Sequence, residues 1–254
     1  MAELADFWNG IPPVTKAFLV PSAVVPFILR FNPNAAGYFL YSVEFIFKRG
    51  QLFRLITPFF YRELGFSFLL NIFFLYRHMK QLEEEEFRGR RGDFVWMLIL
   101  LMVGILVFGA IGRRPILSEA LMLAILYVWS RKFPDVNMTF MFGLRFKSQY
   151  LVWVLTIYHF ILGGSIMHGV IGIICGHLYW FCSDVLPRTH NIRLVDAPIL
   201  LQRLIPNTGV AGVQHMNGQF EAHAPENPLR RNGQPEPNVY RRHNWGGGHR
   251  LGDE

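Results

Sequence analysis

The chain has 254 residues, of which 52% are hydrophobic and 15% aromatic, while only 17% are charged. A soluble domain carries about 25% charged residues, so an ordinary soluble globular fold is excluded. The net charge of +7 does not point to nucleic acid either, because the lysines and arginines lie between apolar runs and in the C-terminal stretch, as in membrane proteins.

In chain order, the first fifteen residues lack a basic leader region and no small-residue cleavage site follows, so residues 17–31 are predicted to be a retained membrane helix despite Pro21 and Pro26. Residues 32–60 are too polar to span but rich in aromatic rings, which suits the headgroup interface. Within them Phe53-Arg54 precedes Thr57-Pro58. Arg54 is either a snorkelling arginine or one whose guanidinium fork ties loop carbonyls together; spacing alone does not decide. Residues 64–76 form a second span around Asn71, followed by a run from Glu83 to Glu86 and Arg88, Arg90 and Arg91 that reads as a solvated charged loop. Residues 94–111, 116–129, 150–162 and 163–186 supply four more spans. Several fall short of the roughly 20 residues that a 30 Å hydrocarbon core requires, which implies local thinning of the bilayer.

The sixth span carries the most specific pattern. Gly164, His168, Gly172 and Gly176 recur every fourth residue. On a helix this is one stripe with little side-chain bulk, and small-xxx-small stripes let two backbones approach closely in lipid. The sixth span therefore reads as the central helix of an all-α bundle. An ordinary packed helix that tolerates glycine is the plainer alternative, although each glycine costs about 1 kcal/mol relative to alanine.

From residue 187 onward, seven prolines, eight glycines and many Asn and Arg replace the apolar runs. That composition predicts a mostly disordered tail, residues 187–254, after a membrane part of residues 1–186. Residues 197–204 form a brief amphipathic exception that could lie on the membrane surface. With the N-terminus cytosolic, 18 of the 25 lysines and arginines face the cytosol, so the positive-inside rule places both termini there. The Asn137-Met138-Thr139 sequon then lies in a cytosolic loop and stays without a glycan.

Candidate chemistry is sparse. Ser118 at the head of the fourth span and His168 near the head of the sixth invite a Ser-His pair, but a helix N-cap for Ser118, with Glu119 complementing the helix dipole, explains both residues more simply. His159, His168 and His177 are spaced by nine, which alternates faces and argues against a metal cluster. Cys175 and Cys182 read as packing residues. No phosphate loop, dinucleotide motif or zinc-protease motif is present, so no cofactor, metal or catalytic residue is expected.

Six spans, the aromatic first loop, Gly172-xxx-Gly176, the run Gly176-His177-Leu178-Tyr179 and Tyr127-Val128-Trp129 together resemble the Derlins, rhomboid-like pseudoproteases of the endoplasmic reticulum. The last residues, 242–253, resemble the family's SHP box. The resemblance implies a six-transmembrane, rhomboid-like helical bundle of the endoplasmic reticulum membrane. It implies a non-catalytic role in endoplasmic-reticulum-associated degradation and the unfolded protein response, helping misfolded lumenal and membrane proteins reach the cytosol. The implied partners are the AAA ATPase valosin-containing protein, an endoplasmic reticulum ubiquitin ligase complex, client proteins and the bilayer, with homo- or hetero-oligomers. In the SHP-like run, Trp245, Gly246, Gly248, Arg250 and Leu251 would contact the ATPase; His249 stands at a position often aromatic. Gly164, Gly172, Gly176, Phe53 and Arg54 would be structural. Phe53 stands where the family carries tryptophan. Active rhomboids, the rival reading, place serine in a Gly-x-Ser-Gly turn; here Ile116-Leu117 precedes Ser118 and Glu119 follows. A small-solute transporter would carry an internal repeat, and none is visible.

Overall fold

The structure is a computed structural model that describes residue 6 and residues 8–139, 143, 145–190 and 195–205. The SHP-like residues 242–253, and with them Trp245, Gly246, Gly248, Arg250 and Leu251, lie outside the described residues.

Six helices carry the architecture. They are α1 (Pro13–Phe31), α2 (Phe66–Gln81), α3 (Arg91–Ile111), α4 (Ser118–Lys132), α5 (Leu151–Ile161) and α6 (Ile166–Trp180). Among the described residues, three helices are long and apolar enough to cross a membrane: α1, α3, and α6 together with its continuation to His190. The other three have 16, 15 and 11 residues. At a rise of about 1.5 Å per residue, α5 is roughly half as long as the hydrocarbon core is thick.

The central helix is α4, not α6 as the glycine stripe suggested. Twelve of the 15 residues of α4 are buried, and α4 packs on α2, α3, α5 and α6. Only Gly169, Ile171, Gly172, Cys175 and Gly176 are buried on α6, whose Ile166, Val170, Ile174 and Leu178 are exposed. The glycines do not make α6 central; they let one face of α6 press against α4 while these four residues face outward.

Polar contacts fasten the ends of the helices. The run predicted to be solvated is divided between two jobs. Glu83 is buried, and its carboxylate accepts from the backbone N–H groups of Val14 (3.1 Å) and Thr15 (2.7 Å) and from the Thr15 hydroxyl (2.7 Å). A carboxylate at these orphan N–H groups both caps α1 and complements its dipole. Glu86 pairs with Lys132 at 2.7 Å, and Lys132 also holds Asp184 beyond α6 at 2.7 Å. Trp129 donates its indole N–H to Gln81 at 2.9 Å. The end of α2, the start of α1, the end of α4 and the segment after α6 are thereby tied together.

Three other expectations change. The aromatic segment before α2 is not plain loop: it contains the helices Ala36–Phe39 and Val43–Arg49 and the 3-10 turns Leu52–Leu55 and Thr57–Phe59. The loop after α4 holds a small antiparallel hairpin, β1 (Asn137–Thr139) with β2 (Arg145–Lys147), in which Asn137 pairs with Lys147 and is exposed. Past α6, helix continues through Phe181–Val185 and Leu186–His190, across the boundary drawn at residue 187. The short helix Ile199–Leu204 packs against α3, where Gly92 leaves room for Gln202.

Candidate functional site

The most extensive helix–helix contact in the bundle is between α4 and α6. A methyl group built on Gly172 would lie 2.6 Å from the Ala120 carbonyl oxygen and 2.9 Å from Leu123 Cβ. One built on Gly176 would lie 2.8 Å from Tyr127 Cβ and 2.9 Å from the Ala124 carbonyl oxygen. Ala120 and Ala124 are themselves four apart, so a small-residue strip on α4 meets the glycine strip on α6. Gly164 stands apart from this contact. It lies in the turn between α5 and α6, donates its N–H to the His159 carbonyl at 2.8 Å, and has no space for a Cβ there. Gly169, which the four-residue stripe omits, faces Thr156 of α5 with even less room.

Arg54 is buried and resolves the alternative left open by its spacing. Its Nη1 donates to the carbonyls of Gly37 (2.8 Å) and Leu40 (2.7 Å), and its Nε to Gln51 Oε1 (2.6 Å). The guanidinium also lies over Phe45 at 4.9 Å and over Phe53 at 5.8 Å. One planar fork thus closes the segment between α1 and α2 on itself. Phe53 is only half-covered and offers its ring face, a role that does not need an indole N–H.

Ser118 is not an N-cap. Leu117 occupies that position, and the Ser118 hydroxyl donates 2.7 Å to the Tyr61 carbonyl, joining α4 to the segment before α2. His168, the rival base, has Nδ1 3.2 Å from Glu119 Oε2. Serine and histidine are each engaged elsewhere, whereas nucleophilic catalysis needs the base on the hydroxyl.

Glu119 does more than complement a helix dipole. Its two oxygens meet two histidines: Oε2 meets His168 of α6, and Oε1 lies 3.5 Å from His159 Nδ1 of α5. The other ring nitrogen of His159, Nε2, is 3.0 Å from Asn71 Oδ1 of α2. Asn71 in turn donates to Ser67 at 3.4 Å. Four helices therefore meet at one chain of polar groups inside an otherwise apolar bundle. Arg62, in the segment before α2, faces the same carboxylate; burial pulls its guanidinium down to about 10 while Glu119 opposes the shift, so it remains charged at neutral pH. A cavity of about 20 Å³, lined by Arg62, Asn71 and Ser118 among others, adjoins the chain, enough for a single water. No three His, Cys, Asp or Glu among the described residues are arranged to hold a metal ion.

Sequence reasoning missed this network. Its members are spread over four spans and the segment before α2, and periodicity within one helix does not report contacts between helices. The available signal was chemical: an ionisable residue inside an apolar run is a functional candidate by default, and Glu119 and His159 both qualify.

A second polar cluster lies at the other end of α4 and α6. The Tyr127 hydroxyl is 2.7 Å from His177 Nδ1 and accepts from Arg131 Nε at 3.0 Å, while Arg131 lies over Trp180 at 5.5 Å. Gly176-His177-Leu178-Tyr179 and Tyr127-Val128-Trp129 are therefore parts of one interhelical contact.

The sequence profile of the Der1-like family matches residues 11–199. The chain is 32% identical over 261 aligned positions to Derlin-1 of Homo sapiens, covering 100% of both proteins. It is 29% identical to Derlin-1 of Caenorhabditis elegans, covering 97% of this chain and 96% of that one. It is also 32% identical to Derlin-2 of Oryza sativa subsp. japonica, covering 88% and 95%. The family profile covers most of the chain and relatives align from end to end: this helical membrane protein belongs to the Der1-like family.

Proposed function

We propose that the chain is a non-catalytic component of endoplasmic-reticulum-associated degradation that helps misfolded lumenal and membrane proteins cross to the cytosol. Membership of the Der1-like family and the Derlin relatives support the pathway. The observation that carries the non-catalytic reading is the commitment of Ser118 to the Tyr61 carbonyl and of His168 to Glu119. That pairing leaves Ser118 and His168 without the hydroxyl–imidazole contact that attack on a peptide bond needs.

In this reading all six helices span the membrane and both termini are cytosolic. The short α2, α4 and α5 thin the bilayer locally, and the seam between α2 and α5 is the lateral opening. These two helices each pack on α4 far more than on one another, and exposed apolar side chains such as Leu69, Phe73, Ile157 and Phe160 flank them. Trp245, Gly246, Gly248, Arg250 and Leu251 recruit the valosin-containing-protein ATPase, which pulls the client, while a membrane ubiquitin ligase marks it.

The test is client turnover in cells whose own copy has been replaced. Ser118→Ala, matched for protein level, should restore degradation of a misfolded lumenal protein as fully as the wild type does. Loss of turnover together with loss of cleavage of a membrane substrate in liposomes would favour a protease instead.

A further inference from the structure

His159 stands between two acceptors. Nε2 faces Asn71 Oδ1 at 3.0 Å and Nδ1 faces Glu119 Oε1 at 3.5 Å. Asn71 presents its amide oxygen to the ring and donates from Nδ2 to Ser67 at 3.4 Å. A neutral imidazole has one N–H and one lone pair. It can donate to Asn71 or to Glu119, and the nitrogen left over then points a lone pair at an oxygen. Only the imidazolium, with both nitrogens protonated, donates to both partners at once.

The two partners sit on different sides of the seam. Asn71 belongs to α2, His159 to α5 and Glu119 to the central α4, so the Asn71–His159 bond is a direct polar contact across a seam where α2 and α5 otherwise touch little. We infer that His159 is a proton-binding site, and that a proton bound there latches α2 to α5 through Asn71 while Glu119 holds the ring. The latch acts on the lateral opening, and in that sense rests on the reading of the seam given above.

The charged and titratable groups that face His159 are few. Glu119 of α4 is the counter-ion. His168 of α6 shares that carboxylate through Oε2, and Arg62 faces it from the segment before α2. Tyr158 lies beside the ring on α5 itself, at 5.7 Å between centroids. His168 and Arg62 both compete for Glu119, so the Glu119 carboxylate is shared and a proton on His159 is not permanently bound. With the proton absent, the single N–H goes to the charged carboxylate, the stronger acceptor, the lone pair of Nε2 faces Asn71 Oδ1, and the seam loses its tie. The members sit at the start of α2, α4 and α6 and the end of α5, a single end of the bundle, opposite the Glu83 and Lys132 contacts. Proton exchange therefore occurs from that one side.

The experiment uses the full chain in lipid nanodiscs. Spin labels at Phe73→Cys and Ile157→Cys, with Cys175 and Cys182 replaced by alanine, report the α2–α5 distance on either side of pH 6.5, the approximate unperturbed imidazole value. Acidification should narrow the distribution and remove its longer component. In His159→Gln, whose amide does not titrate, the distribution should be the same at both extremes. A second measurement needs no substitution of the network: the nitrogen resonances of His159 in the wild-type chain should change from one ring proton to two over the same pH range as the distance. An unchanged distance across the range, a full response retained by His159→Gln, or ring protonation without a change in distance would each overturn the latch. None of these outcomes bears on whether clients are degraded, so failure of the latch and failure of the proposed function are told apart.

Discussion

Gly172 of α6 meets the backbone of Ala120 on α4 so closely that an added methyl would stand 2.6 Å from the Ala120 carbonyl oxygen. In lipid, apolar surface gains nothing by leaving the solvent, so helix association depends on packing of this kind. The contact fixes α6 against the central helix, and α4 in turn carries Glu119 and Ser118.

Substitution at this contact has a defined consequence. Gly172→Leu or Gly176→Leu should separate α6 from α4, at the cost of about 1–3 kcal/mol typical of overpacking or more where backbone is the obstacle. The thermal midpoint of the purified protein in detergent should fall in both variants. Gly50, whose surroundings are open, provides a comparison: Gly50→Asn, which tolerates the left-handed conformation found there (φ 63°), should leave the midpoint nearly unchanged.

Arg54→Lys should loosen the segment between α1 and α2. Lysine keeps the charge but is a single point donor, and it cannot bridge the Gly37 and Leu40 carbonyls while also reaching Gln51 as the fork does. Each lost bond to a charged group is worth about 1.5–3 kcal/mol. Limited proteolysis between residues 37 and 55 should become several-fold faster in the variant, with cleavage in the hairpin after α4 unaltered. Equal rates in variant and wild type would show that the fork is dispensable.

The tail is tested separately from the bundle. Changing Trp245 and Leu251 together to alanine should abolish recovery of the valosin-containing-protein ATPase with the protein from detergent extracts, because these are the bulky apolar anchors of the SHP-like run and a short linear motif binds through few anchors. Insertion and thermal stability of residues 11–199 should not change. Undiminished recovery would remove this run from the mechanism.

The sequence was most legible where one helix carries its own signal and least where several helices share one. The spacing of Gly172 and Gly176 is visible because both lie on one helix and recur with its period. That α4 rather than α6 is central is not visible, because lipid is as apolar as a protein interior and hydropathy does not distinguish the two. Glu83 was misread for a related reason. A run of four glutamates looks solvated unless one knows that the open N-terminus of α1 lies beside it. Glu119, His159 and Asn71 are at least 40 residues apart in the chain, and only the fold brings them together.

The central claim is that clients pass along the seam between α2 and α5. A photoreactive residue at Leu69, Phe73, Ile157 or Phe160 samples the exposed sides of α2 and α5, while Val103 and Val107 sample α3, where equally apolar side chains are exposed. With a misfolded lumenal client arrested by inhibition of the ATPase, crosslinks should form at the α2 and α5 positions and not on α3. Crosslinks of equal yield on α3, or none on α2 and α5 while the client is demonstrably arrested on the protein, would contradict the account.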